Sequence, residues 1–192
     1  MEPGPSWRAP AADMARLVAF LRAINVGGHT VKMADLRRSF EALGFGGVET
    51  HIASGNVIFD TDASDTAALE RRIEAALQGE LGYRVDTFVR TADELAEIVA
   101  RRPFDGVDVE AAGSRLYIVF LGRPPAHGHV DRLLEAGGGF DSFEVHGREV
   151  YWLVRGRYSD SRFSGALLEK TLAMPATVRG APTVRQIAAK LG

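Results

Sequence analysis

Apolar positions recur along the chain with two different periods, and the order in which the periods alternate predicts the fold. Residues 17–21 (LVAFL) are continuously apolar, the pattern of a short central strand covered on both faces. A loop over residues 25–31 turns around Gly27 and Gly28. Met33, Leu36, Phe40 and Leu43 then recur at helical spacing, with Gly44 as the C-terminal stop. Residues 48–53 and 57–60 read as two strands joined tightly at Gly55-Asn56. Leu69, Ile73, Ala76 and Leu77 share one face of a helix over about 66–81, and residues 84–90 form a strand. Thr91 and Glu94 make a capping box, because the threonine side chain caps the backbone while the glutamate reaches back to it. The helix so opened carries Leu95, Ile98 and Val99 and ends before Pro103.

Beyond a loop rich in Asp and Gly, the same order returns. Residues 115–121 are an apolar strand, and Val130, Leu133 and Leu134 mark a helix stopped at Gly137-Gly138-Gly139. Residues 143–145 and 150–154 form a hairpin about Gly147-Arg148, and Leu167, Leu168 and Leu172 mark a helix that stops at Pro175. Residues 176–179 are a strand, and Thr183 to Gln186 read as a second capping box before Ile187 and Leu191. The expectation is an α+β chain of two related βαββαβ(α) halves. Each is ferredoxin-like, with an antiparallel sheet and helices packed on one face. The expected organisation is a flexible lead over 1–15, a first half over 16–104, a linker over 105–113 and a second half over 114–192. An offset of 92 places Gly55 on Gly147, Thr91 on Thr183, Glu94 on Gln186 and Leu95 on Ile187.

Composition narrows the function classes. The 192 residues are 46% hydrophobic, enough for a sizeable core and incompatible with a disordered chain. With no cysteine, disulfide staples and thiolate metal or redox sites are excluded. No apolar run is long enough to cross a bilayer, and residues 1–15, with Pro3, Pro5 and Pro10, lack the core of a signal peptide, so the expected location is cytoplasmic. The positive charge is 20 Arg and 3 Lys, interspersed with 25 acidic residues, which argues against nucleic acid as the partner. The 21 glycines exceed the usual ~7%, and most stand at expected turns and helix stops.

Candidate chemistry concentrates at one strand-to-helix loop. Leu21, Arg22, Ala23, Ile24, Asn25, Val26, Gly27 and Gly28 are followed by Thr30 and Lys32, so backbone N–H groups can converge on an anion at a helix start. Arg22 supplies a bidentate fork, and Lys32 is locally unfavourable at a helix N-terminus unless an anion offsets it. The spacing is neither a Walker loop nor a dinucleotide fingerprint. Ser54 and Asn56, in the sequence Ser54-Gly55-Asn56, stand near a strand end of the same half, where Gly and Asn also suit a tight turn. The candidate ligand-binding set is therefore Arg22, Asn25, Gly27, Gly28, Lys32, Ser54 and Asn56, with a small anionic or phosphate-bearing ligand as partner. No catalytic residue, metal site or cofactor is assigned. His29 is the histidine best placed for acid–base work, whereas His127 and His129 read as an exposed loop pair. The alternative is a non-catalytic interaction module that uses a sheet face or edge for a protein or RNA partner. Tyr151 and Trp152 would then be the candidate aromatic platform.

The glycine loop at 21–28, the helix over 33–44, the Ser54–Phe59 motif, the stretch 89–104 ending in Arg-Pro-Phe, and Pro-Ala-Thr-Val-Arg at 175–179 together resemble the bacterial family called domain of unknown function 1697. The resemblance covers about 15–191 and implies a fold of repeated β-α-β-β units in a cytoplasmic bacterial protein, with no catalytic residues attached. Where the family usually carries glycine this chain has Ala23, so a positive φ is not expected there. The family usually has tyrosine near His51, and commonly continues Arg-Asn-Trp where Arg179 is followed by Gly180-Ala181-Pro182-Thr183.

Overall fold

The computed structural model describes residues 14–25, 30–52 and 55–192. The first half runs β1 (Ala15–Leu21), α1 (Met33–Ala42), β2 (Gly46–Thr50), β3 (Asn56–Thr61), α2 (Thr66–Leu81), β4 (Thr87–Thr91) and α3 (Ala92–Ala100). The second runs β5 (Ser114–Leu121), α4 (His127–Ala136), β6 (Asp141–His146), β7 (Glu149–Arg155), α5 (Gly165–Leu172), β8 (Ala176–Gly180) and α6 (Ala181–Leu191), with a short turn at Tyr158–Asp160 before α5. Each half folds into a four-stranded antiparallel sheet with its first strand central. The orders are β2-β3-β1-β4 and β6-β7-β5-β8, and the chain is α+β with two similar ferredoxin-like halves.

The apolar run in β1 is continuous because both of its faces are buried. Leu17, Ala19 and Leu21 point to the outer face and pack under α1 and α2, against Leu36, Phe40, Ile73 and Leu77. Val18 and Phe20 point the other way, into a layer shared with Ile118, Phe120 and Tyr151 of the second sheet. β5 repeats the division, with Val119 and Leu121 under α4 and α5. The third helix of each half joins the inner layer: α3 contributes Leu95 and Ile98, and α6 contributes Ala181, Val184, Ile187 and Leu191. Both faces of both central strands are therefore covered, and the inner layer joins the halves.

Local chemistry explains several boundaries and corrects others. Thr91 caps α3, with Glu94 N on Thr91 Oγ1 at 3.2 Å and Thr91 N on Glu94 Oε2 at 2.9 Å. The second capping box does not form. The α6 helix opens at Ala181 with Gly180 as its N-cap and no side-chain cap, and Thr183 lies inside the first turn. Pro182 has no N–H to lose there and its fixed φ suits a helix start, so the helix begins before Thr183. His127 and His129, expected in a loop, open α4 instead, and His129 Nδ1 lies 3.0 Å from Thr171 O. The offset of 92 fails for the same strand and helix: Thr87 faces Leu21 as Ala176 faces Leu121, so β4 and β8 correspond at a shift of 89. That shift puts Arg90 with Arg179 and Thr91 with Gly180. Similarly, Asn56 faces Phe20 as Glu149 faces Phe120, so β3 and β7 correspond at a shift of 93.

Candidate functional site

The end of β1, the turn before β3 and the edge strand β8 meet at one corner. Gly55 lies there with φ +74°, and a Cβ on it would sit 2.8 Å from Ile24 Cγ2 and 3.1 Å from Leu21 Cβ. Glycine is required on both counts. Leu21 N donates to Gly55 O at 2.8 Å, which ties the strand end to the turn. Ala23 adopts φ +57°, against the expectation from its departure from glycine. The turn geometry is kept and an alanine bears its strain, the left-handed region costing a non-glycine residue roughly 1–2 kcal/mol. Ile24 is buried and its carbonyl accepts from Tyr83 Oη at 2.9 Å.

The residues read from the sequence as an anion set divide when placed. Arg22 directs its fork at Glu169 of the other half, with Nη2 on Oε2 at 2.8 Å and Nε on Oε1, and Nη1 lies 3.2 Å from Asp86 Oδ2. The hydrogen bond to Glu169 raises the Arg22 pKa. The expected fork for an outside anion is therefore corrected to a tie between β1 and α5, because two carboxylates already take it. Asn25 Oδ1 accepts from Val31 N at 2.7 Å. Lys32 is the exposed N-cap of α1, and its carbonyl accepts from Leu36 N at 3.1 Å. Asn56 is fully buried; its Nδ2 donates to His51 O at 2.9 Å and its Oδ1 accepts from Arg179 Nε at 2.6 Å. Gly27, Gly28, His29 and Ser54 lie outside the described residues.

Arg179 is the residue that sequence reading missed. Its only signal was the resemblance at Pro-Ala-Thr-Val-Arg. Arg179 is buried, with Nη1 on Thr177 Oγ1 at 2.7 Å and Val178 O at 2.9 Å, and Nη2 on Leu21 O at 3.0 Å. It lies 5.8 Å above the ring of Phe20. Desolvation lowers its pKa to about 10.

The other half contains the reciprocal arrangement. Arg90 of β4 donates Nη1 to Val89 O at 2.8 Å and Nη2 to Leu121 O at 2.9 Å, and lies 5.4 Å above Phe120. Its Nε meets Glu149 Oε1 at 2.7 Å. Desolvation lowers the Arg90 pKa as well, with Glu149 acting against it. Each half thus sends an arginine across the boundary to the end of the other half's first strand. The two clamps differ in charge. Arg90 is held by a carboxylate, whereas Asn56 offers Arg179 a neutral amide oxygen at the corresponding position. Around Arg90 the network continues: Arg148 Nη2 donates to Glu94 Oε1 at 2.6 Å, and Arg148 Nη1 lies 3.7 Å from Glu70 Oε1. Around Arg179 the corresponding positions are Gly55 for Arg148 and Thr183 for Glu94.

Tyr151 and Trp152 are 1% and 0% exposed, and Trp152 Nε1 donates to Asp141 Oδ1 at 2.8 Å. Both belong to the core, so they do not form a stacking platform. Among the described residues no three His, Asp or Glu side chains group as a metal site, and no helix is long and apolar enough to cross a membrane.

Two ferredoxin-like halves locked by reciprocal buried arginines define the class of this protein. The family model for a protein of unknown function (DUF1697) matches residues 14–151, and the chain belongs to that family. In fold it is similar to a solved structure of a conserved bacterial protein from Streptococcus pneumoniae. The two share 23% identity at a TM-score of 0.71, over 93% of this chain and 98% of that one. No curated protein matches the sequence.

Proposed function

We propose that this protein binds a small anionic ligand at the corner formed by the end of β1, the Gly55–Asn56 turn and Arg179, with Asn25 and Lys32 on the loop side. The observation that carries the reading is the charge difference between the two arginine clamps. Glu149 meets Arg90 with a carboxylate, while Asn56 meets Arg179 in the same geometry with a neutral amide oxygen, so that contact brings no negative charge to the corner. A buried guanidinium is weakly screened, so an anion near it gains more than it would at an open surface. Exposed Lys32 at the start of α1 adds a second positive charge on the loop side.

Thermal-shift measurements on the full chain with inorganic phosphate, sugar phosphates and nucleotides test the reading. An anion is expected to raise the midpoint of the wild type. Lys32→Ala is expected to weaken the response, and Asn56→Asp to abolish it by giving Arg179 an internal carboxylate. The reading is overturned if no anion stabilises the wild type, or if both variants respond as the wild type does.

A further inference from the structure

The outward edges of β4 and β8 follow one plan and are finished differently. Every outward N–H of β4 meets a carboxylate: Thr87 N donates to Glu74 Oε1 at 2.9 Å, Val89 N to Glu70 Oε1 at 2.8 Å and Thr91 N to Glu94 Oε2 at 2.9 Å. The counterparts on β8 are Ala176, Val178 and Gly180. The first is satisfied in the same way, by Glu169 Oε1 on Ala176 N at 2.9 Å. The other two carboxylates are missing. Gly165 stands one helical turn before Glu169, where Glu70 stands before Glu74, and Thr183 follows Gly180 by the interval at which Glu94 follows Thr91. The N–H groups of Val178 and Gly180 point away from β5, and neither donates to a described residue. Both residues are half-buried, where an unmade backbone hydrogen bond is unfavourable.

We propose that the Val178 and Gly180 N–H groups receive an organic diacid, whose two carboxylates take the places that Glu70 and Glu94 occupy on β4. This inference rests on the anion reading of the same corner and names the class of ligand. Alternate residues of a strand are roughly 6.6–6.8 Å apart, too wide for the oxygens of one carboxylate or one phosphate and suited to two carboxylates on a short carbon chain. Positive charge is supplied as on β4. Arg179 rises from the same strand and holds Val178 O at 2.9 Å, as Arg90 holds Val89 O at 2.8 Å. The side chain that crosses the β4 edge, Arg148, corresponds to Gly55, which has no side chain to place there.

Amide-resolved NMR titration of the full chain with succinate, glutarate, acetate and inorganic phosphate tests the inference. Succinate or glutarate is expected to shift the Val178 and Gly180 amide protons together and to saturation, with acetate at least tenfold weaker. Gly165→Glu combined with Thr183→Glu rebuilds the two missing carboxylates and is expected to remove the response. Gly165→Glu alone, at a position where an added Cβ meets nothing, is expected to weaken it tenfold or more while the thermal midpoint is retained. If phosphate perturbs the loop at Lys32 but no diacid moves Val178 or Gly180, the diacid inference fails and the anion reading stands. If no anion perturbs either place, both fail. Diacid binding by the double variant equal to that of the wild type overturns the inference directly.

Discussion

Phe20 and Phe120 stack with ring centroids 4.0 Å apart and planes within 13° of each other, one from the central strand of each half. Both rings are fully buried, and each lies beneath an arginine that corresponds to the other's. The centre of the molecule is therefore an aromatic pair sealed on two sides by guanidinium groups.

Phe20→Ala and Phe120→Ala are each expected to destabilise by roughly 3–5 kcal/mol, from lost burial and the cavity left behind. The double variant should cost less than the sum, because the rings are each other's neighbours. Urea denaturation followed by tryptophan fluorescence gives all three values.

Glu149→Gln leaves the fully buried Arg90 guanidinium beside an amide, and removing one partner of a buried pair costs about 3–5 kcal/mol. Replacing both, as Arg90→Met with Glu149→Leu, should recover most of that loss, since the pair is desolvated as well as attracted. A double-mutant cycle in denaturant measures the difference.

Glycine positions separate by what surrounds them. Gly55→Ala meets both a positive φ and the Ile24 and Leu21 side chains, whereas Gly44 has φ +81° and open space. Gly44→Ala should cost about 1–2 kcal/mol, the left-handed penalty alone, and Gly55→Ala clearly more. Thermal midpoints compared side by side decide this.

Thr91→Ala should cost about 1 kcal/mol, because it removes a formed cap, while Thr183→Ala should stay within about 0.5 kcal/mol. Equal losses at the two positions would contradict the boundary found for α6.

The Tyr151 hydroxyl donates to Ile98 O at 3.1 Å, and burial, with Glu149 nearby, pushes its pKa up to about 12. A folded pKa above the unfolded value means that the folded state holds this proton longer. The contribution is full below pH 10 and is lost as pH rises from 10 towards 12. Tyr151→Phe should flatten the alkaline loss of stability in that window. Ultraviolet titration of the wild type should show a late-ionising tyrosine that Tyr151→Phe removes.

Elements with strong local periodicity were legible: residues 17–21 as a doubly covered strand, the helix over 66–81, both hairpins and the Thr91–Glu94 cap. Each depends on side chains within a few positions of one another. The start of α6 was misread because Thr183 and Gln186 satisfy a capping pattern that Pro182 makes unnecessary. Of the candidate residues, Asn56 is the one the structure joins to Arg179. Arg22 was misassigned because its partner Glu169 lies 147 positions away.

What the sequence determined by itself is the order of elements and the two-half α+β architecture, since periodicity, caps and glycine turns act over short range. Only the tertiary structure decided which arginines are clamps. Arg179 and Asn56 are 123 positions apart, and Arg90 and Glu149 are 59 apart. Whether a buried guanidinium meets a carboxylate or an amide depends on how the two sheets face each other across Phe20 and Phe120. Hydrophobic burial sets that arrangement, and no local pattern encodes it.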